Sequence, residues 1–203
     1  MSSEVFRQNL IKKLGEENLR RIENAQIGIA GAGGLGSNCA FNLVRVGFLK
    51  FTIADFDVID PSNLDRQFYF TDQIGMKKVE ALKINLLRIN PTLELTMVDL
   101  RIERTNIQAI FRDCDVVAEC FDRAEAKSML VAELLPLGKL IVSASGLGGF
   151  GASDDIRIHR MKKNLIMIGD LQSDIEKAPA IAPRVSVAAA KQADVVLEYV
   201  INQ

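Results

Sequence analysis

Six residues, Gly31-Ala32-Gly33-Gly34-Leu35-Gly36, constrain the fold of this chain more than any others. They stand between an apolar run, Gln26-Ile27-Gly28-Ile29-Ala30, and a helical pattern from about Leu35 to Val46 that stops at Gly47. Strand, glycine turn and helix together form the context in which a glycine-rich fingerprint binds a nucleotide. The glycines let the backbone approach phosphate, and the helix N-terminus offers N–H donors and the positive end of its dipole. Phe51-Thr52-Ile53-Ala54 then reads as a second strand, completing a βαβ unit. Asp55 closes that strand 19 residues past Gly36, where a carboxylate accepts hydrogen bonds from ribose hydroxyls. The glycine run implies an adenine nucleotide and by itself does not separate NAD from ATP.

The rest of the chain continues the alternation. A helix is predicted from about Ser3 to Ile22, with Gly15 as a candidate break. The polar stretch from Asp57 to Asp72 is too long for a simple turn, and loops of that size tend to be functional. A helix from about Met76 to Asn90 ends before Pro91, and a strand follows over Leu93 to Val98. A short helix near Thr105 to Phe111, a strand over Asp115 to Glu119, a helix from Ala124 to Leu135 and a strand over Leu140 to Ala144 complete the pattern. This predicts an α/β fold: a doubly wound, Rossmann-like, mostly parallel sheet with helices on both faces. After Ser145 come Gly146, Gly148, Gly149 and Gly151, then an alternating segment, Asp155 to His159, that reads as an antiparallel edge strand. A loop from Gly169 to Pro183 leads to a last helix from about Arg184 to Ile201. One domain is expected over residues 1–203, with an N-terminal helix over 1–22, a nucleotide-binding core over 26–145, and a small antiparallel extension with the closing helix over 146–203.

Bulk properties narrow the function. Apolar residues make up 48%, and 25 Lys plus Arg nearly cancel 26 Asp plus Glu, for a net charge of −1. That balance exerts no general pull on nucleic acid or anionic membrane, so neither is expected as a partner. The one dense basic run, His159-Arg160-Met161-Lys162-Lys163, reads as a solvated loop or strand edge. No apolar run reaches spanning length and no signal core opens the chain, so a cytoplasmic location is expected. Cys39, Cys114 and Cys120 form no Cys-x-x-Cys pair, so neither zinc nor a disulfide framework is expected. His159 is the sole histidine, which leaves little for a Ser-His-Asp mechanism.

The discriminating segment runs Asp55-Phe56-Asp57-Val58-Ile59-Asp60-Pro61-Ser62-Asn63-Leu64-Asp65-Arg66-Gln67, with Lys78 following in Gly75-Met76-Lys77-Lys78. An NAD dehydrogenase needs neither Arg66 nor Lys78. A nucleotidyl-transfer site needs both, because charge develops on departing pyrophosphate. Taken singly, each could be an ordinary surface cation.

With these motifs the chain resembles the ThiF/MoeB family of ubiquitin-activating-enzyme-like adenylyltransferases, from about Arg7 to Asp122 and again in the closing helix. The resemblance implies ATP as substrate with Mg²⁺. Asp55 would hold the ribose, and Asn63, Arg66 and Lys78 would approach the phosphates. Gly31, Gly33, Gly34, Gly36, Asp57, Ser62 and Gln67 would complete the nucleotide site. Asp122 would serve the magnesium, with a helix N-cap as its competing role. Arg7 would reach the partner's ATP in a homodimer, or stand as a solvated helix charge. The segment Gly169-Asp170…Ala182-Pro183-Arg184-Val185 resembles the short, zinc-free branch of ThiF proteins. That branch implies a ThiS-like sulfur-carrier protein with a C-terminal Gly-Gly as partner, activated for thiamine thiazole synthesis. Many relatives carry a cysteine in the later crossover segment, but no cysteine follows Leu147 here. Adenylation without a covalent carrier link is therefore expected. The glycines from 146 to 151 are open to two readings, a bed for the Gly-Gly tail or a plain hairpin. Alternatives on the same fold are a molybdopterin-synthase carrier or a modified tRNA base as substrate; an NAD-dependent oxidoreductase is a third.

Overall fold

The computed structural model describes residues 3–203; residues 1 and 2 of the expected N-terminal segment lie outside it. The first helical pattern is two helices, α1 (Ser3–Leu14) and α2 (Glu16–Asn24). Gly15 separates them at φ 80 and ψ 154, a conformation no α-helix contains. The βαβ unit follows as β1 (Gln26–Ala30), α3 (Gly34–Arg45) and β2 (Lys50–Ala54). Then come α4 (Lys78–Ile89), β3 (Glu94–Val98), the one-turn α5 (Ile107–Ile110), β4 (Val116–Glu119), α6 (Ala124–Leu134) and β5 (Leu140–Ala144). A hairpin, β6 (Arg157–Lys162) and β7 (Leu165–Gly169), and the long α7 (Ala182–Ile201) close the chain.

All seven strands join one sheet in the order β3-β2-β1-β4-β5-β7-β6. Every pairing is parallel except β6 with β7. The strand order reverses between β1 and β4, which opens a crevice at the C-terminal ends of those two strands. The glycine run leaves β1 at that switch point. Strand burial follows position: β4 and β5 are buried throughout and β1 nearly so, whereas edge strand β6 is almost wholly exposed. Buried on both faces, the central strands read as apolar runs rather than alternations. Ile27, Ile29, Val116, Ala118 and Val142 face α3, α4 and α7, while Ala30, Val117 and Ile141 pack on Phe111, Leu130 and Leu134.

The hairpin differs from expectation in two respects. The edge strand is antiparallel as read, but its bounds move from 155–159 to Arg157–Lys162. Strand β7 is additional to the expected elements, a five-residue apolar run being ambiguous by period alone. It inserts between β5 and β6 and pairs with β5 in parallel. Its Ile168 is fully buried. Replacing Ile168 with Ala should lower unfolding free energy by about 2–5 kcal/mol in chemical denaturation. A loss below about 1 kcal/mol, the range of an exposed site, would mean that β7 is no interior strand.

Candidate active site

The glycine loop is shaped by contacts that admit no side chain. A Cβ on Gly36 would overlap the Gly31 carbonyl oxygen, so α3 can begin this close to β1 only with glycine there. Gly31 sits at φ 99, and a Cβ on it would meet the Cys120 carbonyl oxygen at 3.0 Å. Gly33 is different: a Cβ on it would meet only Gln67 Nε2, at 3.9 Å. That side of the loop is open, and the first turn of α3 presents its orphan N–H groups there. Such a cradle fits the phosphates of a nucleotide.

Around the loop the chain gathers the predicted residues. Asp55 Oδ2 accepts from Ala32 N at 2.6 Å and Oδ1 from Asp57 N at 2.8 Å. The carboxylate thus braces the loop. Lys78 is buried, yet its Nζ reaches Asp57 Oδ2 at 2.8 Å, where the aspartate side chain is 46% exposed. Arg66 pairs with Asp65 at 2.6 Å and donates to the Ser62 carbonyl at 3.0 Å. Its Cγ lies 3.5 Å from where a Gly34 Cβ would stand. Gln67 Oε1 is buried without a partner, an acceptor available to a ligand donor. Ser62 and Asn63 are engaged by their own 3₁₀ turn, Pro61–Asn63. Ser62 N and Oγ donate to Asp60 Oδ1, and Asn63 Oδ1 accepts from Asp60 N at 3.1 Å. Those bonds from Ser62 hold the Asp60 carboxyl below its ordinary value.

Three further residues, absent from the sequence-based candidates, support the site. Tyr69 is buried and its hydroxyl donates to the Ala32 carbonyl at 2.7 Å, with the Lys78 carbonyl at 3.3 Å. Burial first, and the Asp55 charge second, push its ionisation upward, so it remains a neutral donor. Ser37 and Asn38 tie α3 to the discriminating loop. Ser37 Oγ accepts from Phe68 N at 3.0 Å, and Asn38 Nδ2 donates to the Gly34 and Arg66 carbonyls at 2.7 and 2.9 Å. Adjacent polar residues in the first turns of α3 were the available signal; Tyr69 offered none.

At the end of β4, Asp122 is exposed, and the N-cap of α6 is Arg123. The capping role is therefore not its function here. A lone exposed carboxylate fits Mg²⁺, which takes one or two carboxylates and completes its shell with water and substrate phosphates. Among the described residues no group of three or more His, Cys, Asp or Glu stands together. Cys120 is buried, and burial pushes its thiol well above the ordinary value, with Cys39 and Glu119 adding to the effect. Burial likewise pushes Cys39 up to about 12. Neither suits a thiolate nucleophile.

Two candidates lie apart from this cluster. Arg7 forms a two-point pair with Glu23, at 2.7 and 3.0 Å. It borders a cavity shared with Gly47, Leu49, Asn90 and Thr92, at the N-terminal ends of β2 and β3 and so at the opposite end of the sheet from the glycine loop. Gly148 is spoken for by the chain itself: a Cβ there would stand 2.7 Å from the Ala178 and Asp174 carbonyl oxygens. A free hairpin therefore does not describe Gly148. The 146–152 segment is pinned instead by buried Arg184, which donates to the Gly151 carbonyl at 2.8 Å and to Asp170 at 2.5 Å. Burial works to raise the Asp170 carboxyl. Backbone N–H groups of Ser173 and Gln172, the Ser173 hydroxyl and the Arg184 charge outweigh it, so the net shift is downward.

The ThiF family matches the chain over residues 6–199. The chain is 38% identical over 132 residues to the adenylyltransferase and sulfurtransferase UBA4 of Candida glabrata, covering 64% of this chain and 30% of that protein. It is 29% identical over 140 residues to the probable adenylyltransferase/sulfurtransferase MoeZ of Mycobacterium tuberculosis, covering 68% of this chain and 36% of that one. The chain thus spans about a third of the length of these curated relatives, at 30% and 36%. Its fold matches the crystal structure of E. coli TcdA, a tRNA N6-threonylcarbamoyladenosine dehydratase in complex with AMP, with a TM-score of 0.87. The two share 20% identity, and the match covers 96% of this chain and 93% of that one, a likeness of fold alone.

Removing the Tyr69 hydroxyl with Tyr69→Phe should leave the Ala32 carbonyl unpaired and lower stability by about 1–3 kcal/mol in urea unfolding. An unchanged midpoint would remove Tyr69 as a brace of the loop. A carboxyl held low in the folded state stabilises it above the ordinary carboxylate range and loses that contribution as pH falls. Asp170→Asn should therefore be less stable than the parent at pH 7, with the gap closing as pH drops below about 4. A gap that stays constant with pH would show that the Asp170 charge adds nothing.

Proposed function

The chain belongs to the ThiF family, and on that premise we propose that it is an ATP-dependent adenylyltransferase acting on a carboxylate. The preferred substrate is the C-terminal glycine of a ThiS-like, ubiquitin-like sulfur carrier ending in Gly-Gly, for thiamine thiazole synthesis. The observation that carries the reading is the pair of cations, Arg66 and Lys78, beside a glycine loop whose Gly33 side is open. Each cation is held by an aspartate that water already reaches, so a polyphosphate can take the aspartate's place.

The substrate carboxylate is ionised at neutral pH and needs no base. Its oxygen attacks the α-phosphorus of ATP. The bond from that phosphorus to the oxygen bridging the β-phosphate breaks, and pyrophosphate leaves with the electron pair. The barrier is bringing an anion onto a polyanion, so positioning and positive charge matter most. The N-terminus of α3 cradles the phosphates, Asp55 takes the ribose, and Arg66, Lys78 and the Asn63 amide meet the charge that develops. Mg²⁺ held at Asp122 would supply further positive charge when bound. A groove of about 560 Å³ between α6 and β5–β7 begins beside Ala124, and in this reading it receives the extended tail. Arg7 serves only a second copy in this scheme, a homodimer in which it crosses to the partner's nucleotide.

A second reading, a carboxylate on a modified tRNA base, draws on the exposed cations Arg157, Arg160, Lys162 and Lys163 along the β6 edge. ATP–pyrophosphate exchange decides between them when run with a ThiS-like carrier, a molybdopterin-synthase carrier and tRNA. Exchange is expected with a Gly-Gly carrier. Exchange with none of them, together with tight NAD binding, would overturn the proposal. Arg66→Ala and Lys78→Met should each lower the exchange rate about 10²–10³-fold with the melting temperature retained. A normal rate in either variant excludes that residue from the mechanism.

A further inference from the structure

Glu119 is the last residue of β4 and is completely buried. Its carboxylate is saturated from three directions. Oε1 accepts from Phe121 N at 2.7 Å, two residues on. Lys127, in the first turns of α6, spans both oxygens at 3.1 and 3.2 Å. Ser143 Oγ of β5 donates to Oε2 at 2.5 Å. The Glu119 backbone carbonyl accepts from Gln192 Nε2 of α7 at 3.1 Å. A buried ion pair is poor value as a stabiliser, because desolvation offsets its attraction and a well-packed apolar cluster does as well. What it does supply is geometry.

That geometry acts on Asp122. The carboxylate bends the chain at Phe121 directly after the strand. The same carboxylate grips Lys127, whose backbone N–H donates to the Arg123 carbonyl at 3.1 Å. Asp122 therefore stands between two points that Glu119 holds. Cys120 fixes the other side: its N–H donates to the Ala30 carbonyl at 2.9 Å, and its own carbonyl lies against Gly31. The backbone that carries Asp122 is thereby held on both sides by one buried carboxylate.

We propose that Glu119 is the positioning residue for magnesium at Asp122: held by Lys127 and Ser143, it aims Asp122 at a metal on the bound nucleotide. The inference rests on the adenylation reading for the identity of that nucleotide. It is tested by binding, without a carrier. The affinity of a fluorescent ATP analogue is measured with Mg²⁺ and with EDTA, and the ratio of the two is the readout. Glu119→Gln should reduce the ratio about tenfold, the usual effect of an outer-shell partner on metal affinity. Affinity in EDTA should stay unchanged, because the glycine loop, Arg66 and Lys78 are untouched. Lys127→Met should act like Glu119→Gln, and Lys127→Arg should retain the ratio. Ser143→Ala, which removes one bond without stranding a charge, should give a smaller loss and covers the case in which Glu119→Gln does not fold. A ratio equal to that of the parent in folded Glu119→Gln or Lys127→Met, even with a lowered melting temperature, would make the network merely structural and overturn the proposal. Absence of pyrophosphate exchange with every carrier and with tRNA, together with tight NAD binding, would overturn the adenylation reading instead; the ratio is read without any of them.

Discussion

The contact between Gly36 and the Gly31 carbonyl is the constraint on which the rest depends. No atom larger than hydrogen fits between them. This lets α3 start directly over the end of β1, and so directs its N-terminal N–H groups into the crevice where the sheet order reverses. Asp55 and Tyr69 then lock the loop from opposite sides, one accepting from Ala32 N and the other donating to Ala32 O. A single residue of the loop is held by both of its backbone polar groups.

Charge is arranged so that the cradle is not a costly one. Arg66 and Lys78 would repel each other and α3's positive end if left unpaired. Asp65 and Asp57 neutralise them at 2.6 and 2.8 Å. Those carboxylates are 57% and 46% exposed, so water screens the pairs and holds them weakly. The arrangement keeps the cations in position while leaving them available to a stronger anion.

Away from the cradle, polar groups are used to hold chain ends together rather than to react. Gln192 of α7 donates to the carbonyls of Glu119 and Val142, closing the gap between β4 and β5. Arg184 and Asp170 do the same for the segment after β5. Helices α3 and α7 are thus tied to the sheet and its loops by buried polar residues, Ser37 on the first and Arg184 and Gln192 on the second.

How much of this was legible depends on distance along the chain. The strand–glycine–helix unit, Asp55 at the next strand end, and the Arg66 and Lys78 cations all lie within one continuous stretch, so spacing alone brought them together. The sequence by itself therefore determined the fold class and which charged residues follow the glycine loop along the chain. Only the tertiary structure decided that Arg7 is held by Glu23 at the far end of the sheet, that Gly148 is filled by the backbone of 174–178, and that β7 separates β5 from β6. It alone also placed Ser143 and Gln192 on Glu119, 24 and 73 residues away. Hydrophobic period reports which way a residue faces on its own element. It carries no information on which distant residue faces it in return, and that pairing is what gives a buried polar group its partner and its role.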